Sequence, residues 1–378
     1  MNKINVLHVF SRFDQGGVEN FILNLYRNID REKFEFSFAI TSGEEGVLDN
    51  IATSLGGKIY YFNNGEVTLK NVKNNLNRII DEYGPFDCIH SHCYFFSGYI
   101  LWLAKLKKIP VRISHSHETY KGQKYTLKRK VYENVMREMI EKCATVKVGC
   151  GKAACHHLYG KYDNESMVIN NAVDIDKFRF NEESRKKIRD VYDLHGYRVL
   201  GHVGRFEDQK DHEYLINVFS KVYAKNKKLK LLLIGEGSKK DEIMLKVKNS
   251  PFANNVLFLG NINNVNEIMC AMDLYVFPSK YEGLSIVIVE SQCSGLPCIV
   301  SDCVSKEHNI SGHMIFLSKK DENVWVETIL NNLNCKRENN EIAIMESGYN
   351  IMTTVENMTK IYKGFCIEQI KNLKGDIQ

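Results

Sequence analysis

Short apolar runs alternate with amphipathic stretches along most of this chain, and they do so in two successive series. In the first, Ile4 to Phe10 reads as a strand, Val18 to Asn28 as a helix with Phe21, Ile22 and Leu25 on one face, and Phe36 to Thr41 as a strand. Leu69 to Tyr83 then reads as a helix, Cys88 to Ser91 as a strand, Gly98 to Leu106 as a helix and Val111 to His115 as a strand. The pattern restarts with strands at Arg198 to Val203, Leu229 to Ile234, Val256 to Leu259, Asp273 to Phe277 and Cys298 to Ser301. Helices at His212 to Ala224, Lys239 to Lys248 and Val265 to Ala271 lie between them. Such alternation predicts parallel sheets covered by helices on both faces. Two series predict an α/β chain of two Rossmann-like domains facing across a cleft. Ligands of open parallel sheets bind beyond the carboxyl ends of the strands, so the motifs that matter should follow strands.

The first domain is placed at residues 1–175 and the second at 176–352. The segment Asp176 to Arg198 between the two series is highly charged and has no core strand. Residues 353–378 read as a terminal helix that crosses back to the first domain, within a helical stretch from Met352 to Leu373. A length of 378 residues with 44% hydrophobic content gives ample chain for two cores. No signal peptide is evident before the first strand, and no apolar run reaches the roughly 20 residues of a membrane span. Tyr94 to Leu106 comes nearest and ends among lysines. Eleven scattered cysteines form no C-x-x-C pair and fit no usual zinc spacing, as expected of buried thiols in a reducing cytoplasm.

Charge is uneven. From Lys105 to Lys130 nine bases face one acid, Glu118, with Tyr120 and Tyr125 interleaved and Trp102 just before. Such a stretch is a merely solvated face, a contact for anionic lipid headgroups, or a nucleic-acid surface. No nucleic-acid module accompanies it, and nucleic acid is not expected as a partner.

Five motifs follow strands. Gly16-Gly17-Val18-Glu19 opens a helix, either as a plain tight turn or as a close backbone approach to an anion. It is not a dinucleotide fingerprint. Ser114-His115-Ser116-His117 puts two histidines on one strand face, with no third metal ligand evident nearby. One of them could donate to a substrate hydroxyl, or both could be satisfied within the fold. Gly204-Arg205-Phe206 and Lys210 supply a guanidinium fork and a mobile ammonium that could converge on a diphosphate. Gly235-Glu236-Gly237 ends a strong strand and permits a close approach to backbone. Finally, Glu282-Gly283-Leu284-Ser285-Ile286 leads into a helix that starts at Ser285 and carries Glu290. The helix start suits a phosphate. One carboxylate could grip a sugar and the other a ribose, or both could simply be solvated.

In combination these motifs resemble a retaining glycosyltransferase of GT-B fold, in the large family-four group that uses nucleotide-sugar donors. The resemblance covers nearly the whole chain. It includes Gly295-Leu296-Pro297 and Asn171-Ala172-Val173-Asp174, where Ala172 replaces a frequent glycine. The wording Arg112-Ile113-Ser114-His115-Ser116-His117 is similar to the branch that builds bacterial exopolysaccharide and capsule.

The resemblance implies that Glu282 binds donor-sugar hydroxyls, Glu290 the ribose, and Arg205 and Lys210 the departing diphosphate. Gly16, Gly17, Gly204, Gly235, Gly237, Gly283, Leu284, Ser285 and Ile286 would line the donor, and His117, or its neighbour His115, would hydrogen-bond the sugar. It further implies a UDP-sugar donor, no cofactor and no metal. The acceptor would be a glycan or polyprenyl-diphosphate-linked sugar at the inner face of the membrane, where Lys105 to Lys130 would make a peripheral contact. A non-hydrolysing nucleotide-sugar epimerase shares the two-domain plan but not the Glu282–Glu290 motif. An inactive nucleotide-sugar-binding protein is the rival outside enzymes.

Overall fold

The computed structural model describes residues 3–14, 16–63, 68–117, 126–282 and 285–364. Gly283, Leu284 and the tail beyond residue 364 lie outside the described residues, as does the part of the basic stretch from 118 to 125. The chain forms two units, one of residues up to Ala172 together with the chain from Ile351, the other Val173–Asn350. The divisions fall at 172/173 and 350/351 rather than at 175/176 and 352/353. At this point Val173 N–H donates to the Tyr349 carbonyl and Val173 bridges Asn350 in parallel.

The first unit holds seven parallel strands: β1 (Ile4–Phe10), β2 (Phe34–Ile40), β3 (Lys58–Tyr61), β4 (Cys88–Ser91), β5 (Val111–Ser116), β6 (Val146–Gly149) and β7 (Ser166–Val168). Their spatial order is 3-2-1-4-5-6-7. The second holds six: β8 (Arg198–Val203), β9 (Leu229–Ile234), β10 (Val256–Gly260), β11 (Leu274–Phe277), β12 (Cys298–Ser301) and β13 (Ile315–Leu317), in the order 10-9-8-11-12-13. In each sheet the order reverses beside the first strand, between β1 and β4 and between β8 and β11. That reversal opens a crevice at the strand ends, where doubly wound sheets hold ligands.

Both faces of each sheet are covered, which explains strands that read as unbroken apolar runs. Along β9, Leu229, Leu231 and Leu233 enter one core, while Leu232 and Ile234 enter the other. In the first sheet Val6 and Phe10 of β1 face one core, and Leu7 and Val9 the other. Strands with this signature are legible in sequence; β3, β6, β7 and β13 are not. Each of those has only three or four residues. β6 even carries a lysine inward, with Lys147 buried and bonded to Glu141 at 2.6 Å.

The terminal helix Ile351–Tyr362 packs with the helix Gly17–Asn28. Its Met358, Ile361 and Tyr362 join the core of the first unit. No helix among the described residues is long and apolar enough to cross a membrane. The described cysteines are free thiols, most of them buried.

The basic stretch is not one continuous face. Lys107 pairs with Asp81 at 2.6 Å. Arg112 turns inward and donates to the carbonyls of Cys143 and Ile109 at 2.7 and 2.6 Å. Among the described residues of the stretch, Lys128, Arg129 and Lys130 open onto solvent side by side at the start of the helix Leu127–Cys143, while Lys105 and Lys108 are exposed beside the end of the helix Ser97–Leu106.

Candidate functional site

In the second unit the switch point gathers the loops after β8 and β11. The chain leaves β8 through Gly204-Arg205-Phe206, makes a 3-10 turn at Asp208–Lys210, and enters the helix His212–Lys225. Asp211 caps that helix from a left-handed conformation, φ 52°, its carboxylate accepting from Tyr214 N–H. This turn aims Lys210 back toward the sheet end. Its Nζ donates to Glu282 Oε1 at 2.6 Å, and the two side chains are only 12% and 7% exposed. The ammonium also lies 4.6 Å from the centre of the Phe277 ring, a favourable seat for a cation. Burial pulls the Lys210 pKa down, the Glu282 carboxylate opposes that shift, and the nearby Arg205 adds to it. Arg205 itself is exposed.

Gly235 and Gly237 serve the same corner through backbone contact with their own chain. They have φ of 138° and 154°, and an added Cβ would stand 2.2 Å from the Gly204 carbonyl oxygen and 2.6 Å from that of Phe206. Gly204 N–H donates to the Ile234 carbonyl, and Phe206 N–H to that of Glu236, both at 2.9 Å. These glycines therefore let the loop after β9 support the loop that carries Arg205 and Lys210.

The helix Ile286–Cys293 begins after Ser285, whose side chain makes no capping bond. The Ser285 N–H is nevertheless engaged, donating to His308 Nε2 at 2.7 Å. His308 Nδ1 faces the Ser305 carbonyl at 2.9 Å, which fixes the ring as the Nδ1–H tautomer. Gln292 completes the brace, donating to the His308 carbonyl at 2.7 Å and accepting from Ser311 N–H at 3.1 Å. By position, the amides of Ile286 and Val287 open the helix ahead of any intrahelical acceptor and suit an anion. Glu290 lies in the next turn, and burial raises its pKa to about 7, with Lys177 opposing. His308 and Gln292 carried no sequence signal, because neither sits in a motif after a strand.

In the first unit, Gly16 caps the helix Gly17–Asn28 in extended conformation, and an added Cβ would stand 2.3 Å from the Glu19 carboxylate. His115 and His117 share one face of β5, as their spacing predicts. The expectation that no third ligand lies near them is wrong. His90 on the neighbouring β4, His92 just past its end, and His8 on β1 join them. β4 and β5 run in register, His90 opposite Ile113 and Ser91 opposite Ser114. Ring nitrogens meet at 3.1 Å between His8 Nδ1 and His92 Nε2, at 2.8 Å between His92 Nδ1 and His117 Nε2, and at 3.1 Å between His90 Nε2 and His115 Nδ1. His90 Nδ1 meets the Tyr362 hydroxyl at 2.9 Å. Burial lowers every one of these pKa values, to about 3 for His8 and His117. His115 is fully buried, whereas His117 at the strand end is only partly so. Ala172 needs no left-handed backbone, so it fits where a glycine is frequent.

Comparisons with known proteins bear on the family and the fold. Residues 15–177 match the model described as Glycosyltransferase Family 4, and residues 197–334 match that for Glycosyl transferases group 1. EpsF of Bacillus subtilis, a glycosyltransferase by name, is 31% identical over 94% of this chain and 96% of its own. The capsular polysaccharide biosynthesis glycosyltransferase CapH of Staphylococcus aureus is 26% identical over 95% of this chain and 98% of its own. Among solved structures, Anabaena HepE in complex with UDP-glucose superposes with a TM-score of 0.78 at 15% identity, over 96% of this chain and all of that one. The fold is the GT-B fold, and the chain belongs to the group 1 glycosyltransferases of family four.

Proposed function

We propose that this protein is a retaining glycosyltransferase that moves a sugar from a UDP-sugar to a glycan or polyprenyl-diphosphate-linked acceptor in cell-surface polysaccharide synthesis. The observation that carries the reading is the buried Lys210–Glu282 pair at the switch point of the second sheet. A buried pair of this kind is costly unless its groups find good partners, and a nucleotide diphosphate-sugar offers a better partner to each. The diphosphate takes Lys210, with Arg205 beside it, and the sugar hydroxyls take Glu282. Glu290 is assigned to the ribose. A carboxyl with a pKa near 7 can donate as well as accept there. His117 is preferred over His115 for the sugar, since His115 is sealed inside the sheet face. Capsule synthesis by CapH and the UDP-glucose complex of HepE support the substrate class.

Breaking the anomeric C–O bond builds oxocarbenium character on the sugar and negative charge on the leaving phosphate. Arg205, Lys210 and the first amides of the helix Ile286–Cys293 stabilise that charge, which is usually a large catalytic effect. They supply the positive charge that a divalent ion would otherwise bring to the diphosphate, and on this reading transfer needs no metal. The acceptor hydroxyl attacks from the face the phosphate leaves, which retains configuration, and the phosphate oxygen takes the proton.

The helix Leu127–Cys143 is the proposed membrane contact. Leu127, Val131 and Val135 recur every fourth residue and are 78%, 55% and 49% exposed. Lys128 and Lys130 flank them. An apolar stripe edged with lysines fits an anionic bilayer surface.

The test is a donor screen of the purified protein by thermal shift and nucleotide release, with UDP- and GDP-sugars in EDTA. Stabilisation and slow UDP release by wild type, both lost in Glu282→Ala and Lys210→Ala, are expected. Turnover that requires added metal would overturn the metal-free mechanism, and no response to any nucleotide-sugar would overturn the donor site.

A further inference from the structure

The histidine cluster of the first unit has more ligating capacity than a sugar contact uses. We propose that His92, His115 and His117 form a binding site for one divalent transition-metal ion of the zinc class, and that its occupancy inhibits the enzyme. A His-x-His pair running off the end of β5 puts two rings on one sheet face, and His92, just past the end of the neighbouring parallel strand β4, supplies the third. The ligand nitrogens of these residues all lie within 4.8 Å of one another. A tetrahedral ion with Zn–N near 2.0–2.1 Å needs its nitrogens about 3.3 Å apart. His92 Nδ1 and His117 Nε2 stand at 2.8 Å and have only to part slightly, while His115 Nε2 is buried with no hydrogen-bond partner.

The nitrogens that would face away from the ion are already provided for. Ligating histidines almost always donate the other ring N–H to an acceptor that fixes the tautomer. His92 Nε2–H can donate to His8 Nδ1, and His115 Nδ1–H to His90 Nε2, both at 3.1 Å. His90 Nδ1–H then donates to the Tyr362 hydroxyl at 2.9 Å. His117 Nδ1 and Asn171 Oδ1 are both buried without a partner, and the two side chains are neighbours. When the ion replaces the His92–His117 hydrogen bond, the His117 proton moves to Nδ1, where Asn171 Oδ1 accepts it. All five rings are neutral at physiological pH because of their burial, so no proton need be released for the ion to bind. His117 is the least buried of the three ligands.

The inhibitory consequence rests on the assignment of His117 to the donor sugar made above; the site itself does not. The experiment uses full-length protein stripped with EDTA and dialysed. Co²⁺ is titrated by visible absorption and Zn²⁺ by calorimetry, and donor turnover is followed in parallel. One equivalent should bind, with the intense visible bands of a four- or five-coordinate cobalt ion. His92→Gln should weaken binding on the order of 100-fold, and His8→Gln about 10-fold. Should His92→Gln fail to fold by circular dichroism, His117→Gln at the strand end serves the same purpose. No saturable binding, or binding by His117→Gln equal to that of wild type, would overturn the site. Binding without loss of turnover would overturn the inhibition and, with it, the sugar-contact role of His117.

Discussion

The two sheet ends solve opposite electrostatic problems. The second unit holds full charges at low exposure, Lys210 against Glu282. The first collects five imidazoles, all kept neutral by burial. A buried ion pair is poised to exchange partners with a charged ligand. A neutral imidazole cluster can read hydroxyls or ligate a metal, but it cannot neutralise a diphosphate. On the proposed reading the contrast places the leaving-group chemistry in the second unit, although the first six strands of the two sheets follow the same order.

The largest effects should come from breaking the charged end. Lys210→Ala should lower kcat/KM by roughly 10²–10³-fold, as when one preorganised charge-stabilising group is lost. It should also destabilise the fold by about 3 kcal/mol, because Glu282 is left buried and unpaired. Lys210→Met combined with Glu282→Gln should recover most of that stability in urea denaturation and none of the activity. If activity returned with stability, the pair would be structural.

Next is Gly235→Ala, which should cost about 2–4 kcal/mol by strain at positive φ and collision with the Gly204 carbonyl. Its thermal midpoint should fall well below that of Gly16→Ala, where the contact is with the end of the Glu19 side chain. Equal losses would mean that the supporting role of the loop after β9 is misjudged.

A smaller effect concerns pH. Burial raises the Glu290 pKa from 4.5 to about 7, so between those values the folded state binds more protons than the unfolded one. The contribution of Glu290 to stability therefore falls as pH rises through that window and is greatest below it. Glu290→Gln should gain about 1–3 kcal/mol at pH 8 and almost nothing at pH 4. Paired melting curves at the two pH values check this, and a variant that tracks wild type at both would contradict the burial argument. The buried histidines of the first unit act in the opposite sense, since they cost stability as pH falls below the ordinary imidazole range, and they do so equally in both proteins, so the difference between variant and wild type isolates Glu290.

The smallest effect on stability, within about 0.5 kcal/mol, is expected for the exposed pair Leu127→Asp and Val131→Asp. Cosedimentation with vesicles rich in phosphatidylglycerol should nevertheless be lost. Retained binding would remove this helix as the membrane contact.

Much of this was legible in sequence, for a physical reason. Strands covered on both faces must be largely apolar, so β1, β8, β9 and β12 announce themselves. Lys147 hides β6 because its ammonium is satisfied by Glu141 and Glu165, partners that no local pattern reveals. In the site, the residue types and their places after strands were readable, but their pairings were not. Lys210 and Glu282 lie 72 positions apart, and His92 and His117 lie 25 apart. His308, which holds the Ser285 amide, belongs to no motif at all. Periodicity reports burial along one element, whereas a site is made by register between elements.

The most direct measurement is calorimetric titration of UDP, in EDTA, into wild type and into the Lys210→Met/Glu282→Gln protein, each checked for equal thermal stability. The account predicts saturable binding by wild type and at least a tenfold loss in the double variant, about 1.4 kcal/mol or more. Equal UDP affinity in the two proteins would contradict it, because the diphosphate would then be held by something other than Lys210.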